Sequence, residues 1–101
     1  MDPERISDFN IADVVTSTAG RDAGTLFYVI GTEPELLLLA NGKDRTLDKP
    51  KRKKRKHIQK VLRSETRVAE KLRLGDKVLN SELRRDLAYL SREMLANNLG
   101  G

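Results

Sequence analysis

Between residues 49 and 60 the chain reads KPKRKKRKHIQK, eight bases with no acid among them. Pro50 blocks a clean helical start, and the six consecutive like charges of residues 51–56 repel one another. The run is therefore expected as an extended segment that a partner orders, and the core must come from the chain on either side. Outside the run twelve bases face 15 acids, so the body carries about −3 and the net charge of +5 resides in this one segment. A positive field that concentrated calls for a polyanion, and RNA or DNA phosphate is the commonest one.

Composition narrows the other classes. With 38% hydrophobic and 35% charged residues among 101, there is room for one domain with a modest core, or a small domain with a helical extension. Cysteine is absent and His57 is the single histidine, which removes disulfides, thiolate metal sites and zinc fingers. No metal or cofactor is expected. No apolar run approaches the roughly 20 residues that span a bilayer, and residues 1–10 are charged where a signal peptide is apolar, so the expectation is a cytoplasmic chain with no membrane partner. Four aromatics, Phe9, Phe27, Tyr28 and Tyr89, are too few for a base-stacking platform. Glu33 and Glu35 flank a turn without a histidine or second carboxylate, and His57 reads as structural. With no P-loop, nucleophile elbow or metal-ligand spacing, no catalytic residue is assigned and an enzyme is not expected.

Residues 1–10 read as a flexible lead-in. Val14, Val15 and the following Thr16-Ser17-Thr18 form a β-prone run that stops at a loop bracketed by Gly20 and Gly24. Residues 25–30, TLFYVI, give a second strand closed by Gly31-Thr32-Glu33-Pro34. The block Leu36-Leu37-Leu38-Leu39 is too short for a typical helix. Asn41-Gly42 behind it is the strongest short hairpin signal, so residues 35–40 are expected to pair with residues 43–47 as strands three and four. His57, Ile58 and Val61 suggest a short last strand. Beyond Leu62 the period lengthens. Ser64 is expected to cap a helix through Leu74, ended by Gly75. Asn80-Ser81 opens a second, with an apolar stripe of Leu79, Leu83, Leu87, Leu90 and Met94 that either packs on its own domain or pairs with a second copy. The expected fold is α+β: a lead-in at 1–10, a small barrel at 11–62 that includes the basic segment, and a helical extension at 63–101.

Residues 14–30, VVTSTAGRDAGTLFYVI, resemble a KOW motif, the strand, glycine loop and strand found inside SH3-like barrels of ribosomal proteins and transcription elongation factors. Gly24 falls on the signature glycine, and Gly20-Arg21-Asp22 resembles the preceding turn. The continuation ANGKDRTLDKPKRKKRKHIQ is similar to small bacterial KOW proteins related to the fourteen-e family of large-subunit ribosomal proteins. The resemblance covers residues 13–60. Ala23 stands where relatives often have a base, which leaves Arg21 alone to charge the loop. The resemblance implies an SH3-like barrel that binds structured RNA, ribosomal RNA above all, in the translation apparatus.

The expected RNA contacts are Lys49, Lys51, Arg52, Lys53, Lys54, Arg55, Lys56 and Lys60 of the basic segment. Gly20, Arg21 and Gly24 of the loop join them, with Lys43 and Arg45 beside the Asn-Gly turn. Arg52 and Arg55 can fork onto phosphate or stack on a base, whereas the lysines act as hydrated point charges. Two other uses of the same residues stand beside this one. A KOW module can contact a protein such as RNA polymerase or a translation factor, and residues 50–56, PKRKKRK, also fit a nuclear import signal.

Overall fold

The computed structural model describes residues 8–100. The expected lead-in lies outside the described residues, except for its last three positions. The β-branched and aromatic runs form β1 (Asp13–Ser17) and β2 (Leu26–Thr32), paired antiparallel with Val14 opposite Tyr28. The leucine block is a strand, β3 (Leu36–Ala40), antiparallel to β2.

The partner of β3 is not residues 43–47. It is the basic run itself, β4 (Lys51–Lys54), with Leu39 opposite Lys51 and Leu37 opposite Lys53. The Asn-Gly signal is overridden because Asn41 folds the chain onto itself. Its Oδ1 accepts from the N–H groups of Lys43 (2.9 Å) and Arg45 (3.0 Å), and the Arg45 carbonyl accepts from the N–H groups of Asn41 and Gly42. Gly42, at φ +77, lies so close to a later helix that a Cβ there would stand 2.3 Å from the Asn80 carbonyl oxygen, a contact only glycine permits. Residues 43–47 therefore run past that helix before the chain returns to β3.

The expectation that an outside partner orders the basic run is likewise corrected. The β3 ladder orders it, and magnitudes show why. Burying Leu37 and Leu39 stabilises the fold by roughly 1.5–3 kcal/mol each. Repulsion along β4 is between charges in water, where a pair at 4 Å costs about 1 kcal/mol.

A 3₁₀ turn (Arg55–His57) links β4 to β5 (Ile58–Arg63), which pairs with β1 at the opposite edge. The order β4-β3-β2-β1-β5 puts two strands joined by a three-residue link furthest apart. In a flat sheet four strand spacings amount to about 19 Å, whereas four residue steps of 3₁₀ helix cover roughly 8 Å. The sheet must therefore curl until its edges approach at this end. Backbone bonds from Thr18 N–H to the His57 carbonyl (2.9 Å) and from Arg55 N–H to the Glu35 carbonyl (3.1 Å) hold the turn there. Closure stops short of a complete barrel, since β4 and β5 do not pair with each other.

The curled sheet has two cores. On its inner face Val15, Phe27, Val29, Leu37, Leu39 and Ile58 pack together with Phe9 against them. The other face, with Val14, Tyr28 and Ala40, is covered by α1 (Arg67–Leu74) and α2 (Asn80–Gly100) through Ala69, Leu83, Leu87 and Leu90. The α2 stripe is thus occupied within its own chain, although Leu79 at its start stays 53% exposed. Thr66, not Ser64, caps α1, its Oγ1 accepting from Ala69 N–H. Ser64 is buried instead, its hydroxyl 2.8 Å from the Tyr28 oxygen, while the single Tyr28 proton is donated to Asp86 on α2. Gly75 ends α1 in the left-handed conformation, as its position suggested.

Candidate nucleic-acid interface

Folding divides the eight bases of the run into three groups. In β4 the side chains alternate, with Lys51 and Lys53 half-buried and Arg52 and Lys54 exposed. Cross-strand partners share a face, so the stems of Lys51 and Lys53 lie on the side of Leu39 and Leu37, over the inner core. Their ammonium groups reach past that core to the β1–β2 loop. Lys51 Nζ pairs with Asp22 at 2.8 Å, and Lys53 Nζ donates to the Ala19 carbonyl at 2.9 Å. The hydrogen bond from Lys51 holds the Asp22 carboxyl below its ordinary range, with the fields of Lys51, Arg45 and Lys53 adding to it. These two lysines latch the glycine loop to the strand.

A second group is tied at the rim by acids and carbonyls distant in sequence. Arg52 pairs with Glu33 at 3.0 Å, and both side chains are largely in water. Arg55 donates from its Nε and Nη2 to the Glu33 carbonyl, with its guanidinium 5.9 Å from the Phe9 ring centre. Lys60 sits between the buried Asp13 carboxylate (3.1 Å) and the Asp8 carbonyl (2.9 Å), also over Phe9.

Lys49, Lys54 and Lys56 form the third group. All three are exposed, and they take no ion pair among the described residues. Lys54 and Lys56 line a shallow groove of about 320 Å³ with Arg55, Pro34 and Glu35, where the β2–β3 turn meets the 3₁₀ turn.

Of the loop residues expected at the interface, Gly20 is brought to the strip. Gly20 has Lys53 Nζ as the nearest group to its missing Cβ, at 3.6 Å, and Gly24 is open. Arg21 is exposed between them. Lys43 and Arg45 fall on the other side of the loop, Lys43 exposed and Arg45 half-buried, with the Arg45 charge acting on Asp22. The arrangement is a positive rim around the loop end of the sheet, with cations held at fixed positions and apolar surface beneath. Among the described residues no three His, Cys, Asp or Glu side chains gather to hold a metal. No helix there is long and apolar enough to cross a membrane. His57 enters through its backbone carbonyl, which accepts from Thr18.

Sequence reasoning missed Asp22, Glu33 and Asp13 as partners of the strip, and Phe9 as the ring beneath Arg55 and Lys60. Asp22 lies inside the motif-like loop, so its charge opposite a lysine run was a usable signal. The other three come from register and curl, which linear spacing does not carry. No protein-family model matches this chain, and no curated protein matches it either.

Proposed function

We propose that this chain is an RNA-binding protein of the translation apparatus, built on an SH3-like barrel of the KOW kind and acting in the cytoplasm. One observation carries the reading: an acid-free basic segment forms an edge strand, and Lys49, Lys54 and Lys56 in and beside it are exposed and without ion pairs among the described residues. Phosphates that bind there release condensed counterions, so affinity comes from charge. With few aromatics available, recognition is of backbone path and helix shape more than of bases. Structured RNA, ribosomal RNA foremost, is the partner this favours. The strand order, the 3₁₀ link between β4 and β5 and the glycine loop after β1 support the SH3-like and KOW assignment.

The import-signal reading draws less support. A peptide read in extended form must offer its backbone and side chains, and here residues 51–54 are paired along β3 with Lys51 and Lys53 latched.

The test compares two variants of the full chain in fluorescence anisotropy with a structured RNA across a salt series. Replacing Lys49, Lys54 and Lys56 by Gln should cut affinity by roughly tenfold or more and flatten the log-log salt slope by about 2 to 3. Lys53→Gln should cost less affinity, because its charge is already committed to the Ala19 carbonyl. Undiminished binding by the triple variant, with an unchanged circular dichroism spectrum, overturns the proposal.

A further inference from the structure

On the far side of the glycine loop from β4, a groove of about 420 Å³ opens between the β1–β2 loop, the β3–β4 connection and α2. That volume is within the roughly 300–1,000 Å³ of sites that hold small organic groups. Its walls bring Lys43 and Arg84 together, and no carboxylate lines it. Arg84 donates from Nη1 to the Gly42 carbonyl at 2.7 Å, which fixes the plane of its guanidinium and leaves the rest of the fork for a ligand. Leu26, Leu87 and Ala88 supply an apolar side. Gly24, exposed at φ +87, has nothing within 4 Å of where a Cβ would stand, so a ligand can approach the backbone closely.

The groove and the basic strand share the glycine loop, which lines one and is gripped by the other. Gly24 belongs to the same short loop as Gly20 and Asp22, which meet Lys53 and Lys51, and the Asp22 charge between the two sites is neutralised by Lys51. A strand laid along the rim and over this loop arrives at Lys43 and Arg84. We infer that the groove takes one unpaired nucleotide of the bound RNA, its phosphate between Lys43 and Arg84 and its base against Leu26 and Leu87. The inference rests on the RNA reading above. It extends the contact surface onto α2, which the charge run gives no reason to include. It also adds a preference that the rim alone lacks, since a fully paired duplex has no base to offer.

The experiment uses the full chain and two RNAs of equal length, a blunt hairpin and a hairpin with a single-stranded flank. Wild-type protein should bind the flanked RNA about tenfold more tightly, and the Lys43→Gln/Arg84→Gln double variant should lose that preference and bind the two RNAs equally. The log-log salt slope on the flanked RNA should fall by roughly 0.7, the contribution of one single-strand phosphate contact. Arg84→Gln removes a bond to Gly42 and can loosen the fold, so Lys43→Gln alone, at an exposed position, is measured too and should lose about threefold more on the flanked RNA than on the blunt hairpin. Equal losses on both RNAs, or none, overturn the groove and leave the rim standing. Failure of the wild-type chain to bind either RNA overturns the rim as well.

Discussion

Lys56 and Lys60 are four positions apart in the same basic run, yet the fold gives them opposite tasks. Lys60 neutralises Asp13, whose carboxylate is only 1% exposed, whereas Lys56 stands in water. Lys60→Gln should therefore lower stability by roughly 1–2 kcal/mol, because the buried carboxylate keeps only the Asn10 N–H. Lys56→Gln should leave stability within about 0.5 kcal/mol. Thermal denaturation followed by circular dichroism reads both, and equal melting temperatures would show that the Asp13 contact is idle. The total charge of the run was legible from the string alone. Which charges remain available was not, because the acids and carbonyls that claim them come from β1, the glycine loop and the β2–β3 turn. Only register decides which meets which.

At the scale of elements, β1, β2, β3, β5 and both helices were legible from β-branched runs, glycine punctuation and the change of period. The strand β4 was not. A two-residue alternation is invisible when every residue is a base, and it emerges only once Lys51 and Lys53 have a core to lie across and a loop to grip. The cap of α1 moved from Ser64 to Thr66 for a related reason, since Tyr28 takes the Ser64 hydroxyl into the interior. That tyrosine ties β2 to α2 through Asp86, and burial, then Asp86, pushes its phenol up to about 12. An unfolded tyrosine ionises near 10, so between about 10 and 12 the folded state holds the extra proton and stability falls as pH rises. Below that window the contribution is whole. Urea denaturation at pH 8 and pH 11 should show a loss on the order of 1 kcal/mol that Tyr28→Phe largely abolishes. An equally steep alkaline decline in the phenylalanine variant would assign it to other groups.

For the molecule as a whole, the α+β plan was readable, but the shared core was not. Val14, Tyr28 and Ala40 are fully covered only because Ala69, Leu83, Leu87 and Leu90 lie over them. A chain ended after Arg63 should accordingly fail to fold cooperatively, giving poorly dispersed amide resonances and no sharp thermal transition. A well-dispersed spectrum from that fragment would show that the curled sheet stands alone. The edge strand β4 carries one last implication. Open sheet margins invite a second chain to dock its backbone alongside, the first step towards fibres. Here such a visitor, if identical, would set four cations against four others at a spacing of about 5 Å. The same residues proposed to take a polyanion keep sister molecules apart. Neutralising them with short polyphosphate should turn a clear solution cloudy.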